Sequence, residues 1–92
     1  MIVRILTEGQ FNLPEAYMDE LNQIDNQLVE VVEQADREEF ERLLEKMLNL
    51  VRENGAALSV EELVSSHLSL PSPDITLEEA KEMFAGEGLI PG

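Results

Sequence analysis

The sequence predicts an α+β fold in one domain covering residues 1–92. A small N-terminal β-hairpin, with residues 67–70 available as a third short strand, packs with an antiparallel helical hairpin and a short C-terminal helix. Three observations carry this reading. The chain opens on Ile2-Val3-Arg4-Ile5-Leu6-Thr7, a run dominated by β-formers. Between Pro14 and Ala35 apolar side chains recur at Tyr17, Leu21, Ile24, Leu28, Val31 and Ala35, the alternating four-and-three spacing of a helix packed lengthwise on another helix. Residues 37–54 then carry a wider apolar face at Phe40, Leu43, Leu44, Met47, Leu48, Leu50 and Val51.

Each element has its own local signals. Glu8-Gly9-Gln10 supplies a turn in which Gly9 can take positive φ, so that Phe11-Asn12-Leu13 returns as the second strand. Pro14 disfavours helix at the residue before it and suits a first helical position, so strand gives way to helix within about two residues. At Asp36-Arg37-Glu38-Glu39 a new N-cap, with an acid three residues on, marks a sharp break and the start of a second helix. That helix ends at Asn54-Gly55, with Gly55 read as a left-handed cap. Its wide face calls for two neighbours, the first helix and either the hairpin or the C-terminal segment. Ser59-Val60-Glu61-Glu62 reads as a capping box opening a helical turn through Val64, and His67-Leu68-Ser69-Leu70 alternates as a strand does. After the Pro71-Ser72-Pro73-Asp74 turn, Thr76-Leu77-Glu78-Glu79 is the clearest capping box in the chain, with Ile75 placed to staple against Ala80. The last helix presents Leu77, Ala80, Met83 and Phe84 on one side and stops near Gly86.

Ninety-two residues can bury roughly 60–65% of the unfolded surface, enough for one modest core. With three Phe, one Tyr and no Trp, that core must be mostly aliphatic. The absence of cysteine rules out disulfides and thiolate metal sites. The N-terminal apolar run is too short for a signal-peptide core, and no run approaches the ~20 residues of a membrane span. A cytoplasmic protein is expected, associated with a membrane only through a partner.

The net charge of −14 is unevenly placed. Residues 15–36 hold seven acids and no base, half of the total, whereas residues 37–54 come to −1. Such a surface repels nucleic-acid phosphate and anionic headgroups, which argues against nucleic-acid binding and direct membrane insertion, and it favours basic partners. Solubility, or life at high salt, would explain the same charge.

No residue pattern carries chemistry. His67 has neither a cysteine nor a second histidine near it in sequence, and a satisfied or exposed histidine explains it better than a catalytic or metal-binding one. The acid pairs at 38–39, 61–62 and 78–79 each open a helix, where acids favour the helix dipole. Tyr17, Met47 and Met83 fit core positions. Nothing matches a phosphate loop, a calcium loop, a dinucleotide fingerprint or a nucleophile elbow. We therefore expect no catalytic residues, no cofactor and no metal. Arg4, the sole base among the first 36 residues, is either an exposed strand residue paired with a carboxylate or an edge-strand contact to a partner.

Several stretches together resemble the PspA-associated (PspAA) family. They are Met1-Ile2-Val3-Arg4-Ile5-Leu6 with Glu8-Gly9-Gln10, the two-helix middle, Pro71-Ser72-Pro73-Asp74-Ile75-Thr76-Leu77-Glu78-Glu79, and the closing Gly88-Leu89-Ile90-Pro91-Gly92. The resemblance implies a small accessory to PspA, a coiled-coil protein that assembles on stressed membrane in the phage-shock envelope response, with no enzymatic activity and no active-site motif to carry over. The candidate partner-binding residues are then Arg4, the helix acids Glu15, Asp19, Glu20, Asp25, Glu30 and Glu33, and the apolar tail residues Leu89 and Ile90. Competing readings are a self-associating structural module that dimerises through Met18, Val29 and Val32, a small-ligand protein or enzyme with a pocket between hairpin and helices, and an acidic regulator that mimics nucleic acid.

Overall fold

The computed structural model describes residues 1–59 and 64–84. Strand β1 (Ile2–Ile5) turns back into β2 (Gly9–Asn12) with Arg4 opposite Gln10 and Ile5 opposite Gly9. The turn uses positive φ at Thr7 (76°) and Gly9 (111°), and the Glu8 N–H donates to the Ile5 carbonyl at 2.9 Å. The expected third strand forms as β4 (Leu68–Leu70) and runs parallel to β1, with Val3 opposite Leu68 and Ile5 opposite Leu70. A parallel neighbour requires a long crossover, and the helical hairpin lies within it. A fourth strand, β3 (Ala56–Ala57), pairs with β2 and completes a sheet of order β3-β2-β1-β4. Two alanines give no strand pattern to read. They pair because the chain leaves the second helix already extended.

Gly55 is the pivot of that exit and corrects the expectation of a left-handed cap. Its φ and ψ are −93° and 154°, extended values open to any residue. Glycine is needed for space instead: a Cβ there would lie 2.7 Å from the Val51 carbonyl oxygen and 3.1 Å from the Phe11 Cβ.

Pro14, at φ −59° and ψ 140°, leads into a single 3₁₀ turn (Glu15–Tyr17), and the α-helix proper, α1, runs Met18–Glu33. Its buried residues are Leu21, Ile24, Asp25, Leu28 and Val32. The seam therefore departs from the expected one at its C-terminal end. Val32 is buried, Val31 is half-buried, and Ala35 lies beyond the helix and exposed. A straight helix of 3.6 residues per turn drifts off a strict seven-residue repeat, and here the drift carries the stripe by one residue.

The break after α1 is a Schellman motif. The Asp36 N–H donates to the Val31 carbonyl at 3.0 Å and the Ala35 N–H to the Val32 carbonyl at 3.1 Å, with Ala35 at φ 56° in the position usually held by glycine. Asp36 then serves as N-cap of α2 (Arg37–Asn54), its Oδ1 accepting from the Glu39 N–H at 3.2 Å. The capping box is only half made, because the Glu39 carboxylate is taken by Arg42 one turn on. Both faces of the expected hairpin close: α2 buries Phe40, Leu43, Leu44, Met47, Leu48, Leu50 and Val51, all seven of its predicted positions.

Helix α3 (Leu77–Met83) begins with a complete capping box between Thr76 and Glu79, and Ile75 before it packs half-buried against the core. Leu77, Ala80 and Phe84 are buried, but Met83 is 39% exposed and does not belong to the core stripe. One core joins Val3, Ile5, Leu68 and Leu70 from the sheet to these helices. Val3 and Ile5 face this core, whereas Arg4 and Ser69 are exposed on the other face of the sheet. The helical turn expected after Ser59 and the docking or partner role expected for the Gly88–Gly92 tail lie outside the described residues.

Candidate protein-binding face

The acids of the α1 region divide into three groups once folded. Asp19 and Glu30 are exposed on the side of α1 opposite the core, with Glu33 exposed toward a flank of it and Glu15 exposed in the preceding 3₁₀ turn. Asp19 and Glu30 stand about three turns apart on that side, with Asn26 between them and no lysine or arginine within α1. Glu20 is exposed on another flank, where it borders the same shallow depression as Lys46 and Glu53 of α2. Asp25 is not on the surface at all. It is fully buried beside Ile24 and is engaged within the fold, which removes it from the binding candidates. Its position four residues after Leu21 and three before Leu28 puts it in the core stripe, a location that its residue type conceals.

Of the residues suggested for self-association, Val32 is in the core, and Met18 and Val29 are half-buried against it. Arg4 does not sit on an edge strand, because β1 lies between β2 and β4. Its side chain is exposed on the sheet face away from the core, beside Gln10 and Ser69, and it makes no ion pair among the described residues. The carboxylate partner considered for it is therefore absent among those residues. Leu89 and Ile90 fall outside the described residues.

Long-range polar contacts were invisible in the sequence, being 44 to 65 residues apart. Arg52 near the end of α2 forks onto the Glu8 carboxylate in the β1–β2 turn, with Nε 2.7 Å from Oε1 and Nη2 in contact with Oε2. Its Nη1 also donates to Asn49 Oδ1 at 2.9 Å. The Arg52 guanidinium holds the Glu8 carboxyl below its ordinary value, chiefly by hydrogen bonding, and Glu8 in turn raises Arg52. His67 Nδ1 accepts from the Ile2 backbone N–H at 2.9 Å, and the His67 N–H donates to the Ile2 carbonyl at 2.8 Å. The histidine thus ties β4 to β1, a structural task. Gln10 Nε2 adds bonds to the Val64 carbonyl and Ser66 Oγ, both at 2.8 Å.

Among the described residues no group of three or more His, Cys, Asp or Glu side chains is placed to hold a metal ion, and no helix is long and apolar enough to cross a membrane. The arrangement is that of a small α+β module whose distinctive surface is the acidic outer side of α1. The chain matches the family model for the PspA-associated proteins, PspAA, over residues 1–92, and it belongs to that family. Neither a curated protein nor a solved structure matches it.

Proposed function

We propose that this chain is a non-enzymatic adaptor that engages PspA in the membrane-stress response, through the outer acidic side of α1. One observation carries the reading beyond the family name: Asp19, Glu30 and Glu33 are exposed on α1 and Glu15 on the turn before it, with no base in either element. Helix-start stabilisation accounts for Glu15 and Asp19, each in a first turn, but not for Glu30, and Glu33 sits at the C-terminus of α1, where an acid opposes the helix dipole. Their like charges sum to a negative potential along the helix, which a basic surface on a partner offsets and which steers its association. The adaptor works in the cytoplasm and reaches the membrane only through its partner, since its own charge opposes anionic headgroups.

The test is a calorimetric titration against the PspA of the same organism. Saturable binding that weakens as salt rises is expected. No heat and no complex at either low or moderate salt would sink the reading.

A further inference from the structure

The entry to β4 is fixed by a side chain whose protonation state the geometry specifies. His67 meets both backbone groups of Ile2: its own N–H donates to the Ile2 carbonyl at 2.8 Å, and its Nδ1 accepts from the Ile2 N–H at 2.9 Å. An imidazole that accepts at Nδ1 is neutral and carries its proton on Nε2. A second proton turns Nδ1 into a donor facing a donor, so this contact exists in the neutral form alone.

The surroundings offer a protonated ring no substitute. From β1 the charged groups near it are the Met1 ammonium, which donates to Asn12 Oδ1 at 3.3 Å and to the Leu13 carbonyl at 2.9 Å, and Arg4, exposed opposite Ser69. Both are positive. From β2 come Gln10 and Asn12, which are neutral. No carboxylate stands within ion-pair distance of His67 among the described residues.

The consequence of losing the contact is local. Leu68 and Leu70 are buried, and the Leu6 N–H donates to the Leu70 carbonyl at 3.0 Å, so the body of β4 has anchors that do not titrate. Residues 64–67 are tied to the sheet by polar bonds instead. Gln10 Nε2 holds the Val64 carbonyl and Ser66 Oγ, and Ile2 holds His67. Val64, Ser65 and His67 are exposed, which makes this the segment that a lost bond can open.

We propose that His67 is an acid-sensitive latch: protonation of Nδ1 detaches it from Ile2 and opens residues 64–67 at the sheet edge, while Leu68–Leu70 stay seated. The device goes beyond the adaptor reading and does not depend on it. Its sign is fixed by the geometry. The neutral ring closes the latch, and a fall in pH through the range where histidine ordinarily gains its charge opens it.

The test is NMR on the full, nitrogen-labelled chain. The ring nitrogens of His67 report its tautomer and its protonation. Exchange of the Ile2 amide with solvent, corrected for the intrinsic effect of pH, reports the latch. Between about pH 7.5 and about pH 5.5, a window above the ordinary carboxylate range, Ile2 protection should fall about fivefold in step with the ring titration. The Leu6 amide, bonded to Leu70, should keep its protection. His67→Asn supplies an oxygen acceptor that does not titrate, so its Ile2 protection should hold across the window, whereas His67→Phe has no acceptor and should be low throughout. A neutral ring protonated on Nδ1 would overturn the proposal. So would Ile2 protection that stays constant while the ring titrates. An equal loss of protection in His67→Asn and the wild type would assign the effect to another group and overturn it as well.

Discussion

At the scale of single residues, Asp25 and Glu8 show carboxylates doing structural work on a strongly acidic molecule. Asp25 stays buried because its polar atoms are engaged; no buried side-chain nitrogen or oxygen among the described residues lacks a hydrogen-bond partner. Replacing it by alanine strands the groups that meet it, at a cost of about 1–3 kcal/mol in urea unfolding. The same variant should bind PspA normally when folded, since Asp25 does not reach the surface. Loss of binding without loss of stability would return Asp25 to the binding face.

Glu8 and Arg52 tie the hairpin turn to the end of α2 and are partly screened from solvent, with 28% and 31% of their side chains exposed. A double-mutant cycle with Glu8→Gln and Arg52→Met should give a coupling of roughly 0.5–1 kcal/mol. Its pH dependence has a definite sign. The folded Glu8 carboxyl titrates below its ordinary 4.5, so the coupling is fully present above that pH and fades as pH falls through the depressed folded value. A coupling that persists unchanged well below pH 4 would contradict this assignment.

At the scale of elements, the junctions decide the architecture. The α1–α2 break is a Schellman motif that places Ala35 at φ 56°, where an L-residue costs roughly 1–2 kcal/mol. Ala35→Gly relieves that cost and gives back part of it as unfolded-chain entropy, so a net gain of about 0.5 kcal/mol is expected. Destabilisation in a thermal or urea unfolding experiment would show that the left-handed assignment is wrong.

The elements themselves were largely legible in the sequence. The bounds of α2 follow from Asp36 and Gly55, its buried face from hydrophobic period, and the start of α3 from the Thr76–Glu79 box, because these are local signals acting within one or two turns. Legibility failed where a neighbour elsewhere in the chain decides. Ala56–Ala57 become a strand only because β2 lies alongside, and Gly55 is constrained by the Val51 carbonyl and by Phe11 of β2 rather than by its own φ. The binding face was legible in outline, since the run of acids without a base is plain, but not in membership. A seven-residue reading of α1 placed the seam one residue early at its end and left Asp25 outside.

At the scale of the whole molecule, charge and packing are kept on separate sides except at the buried Asp25. The two helices and one sheet face supply the core, while half of the −14 net charge lies between residues 15 and 36, on and just beyond a helix that still buries five positions. Such a protein gains its stability from burial and carries its charge as a cost of self-repulsion, which a basic partner offsets. The charge therefore ought to govern association with PspA more than it governs the fold. The most direct measurement is calorimetry of PspA with the wild-type chain and with a variant combining Asp19→Lys, Glu30→Lys and Glu33→Lys, at low and moderate salt. Charge reversal is expected to weaken binding at least roughly tenfold, to flatten its salt dependence and to leave the unfolding transition nearly unchanged. Equal affinity for the two chains, with the same salt dependence, would contradict it.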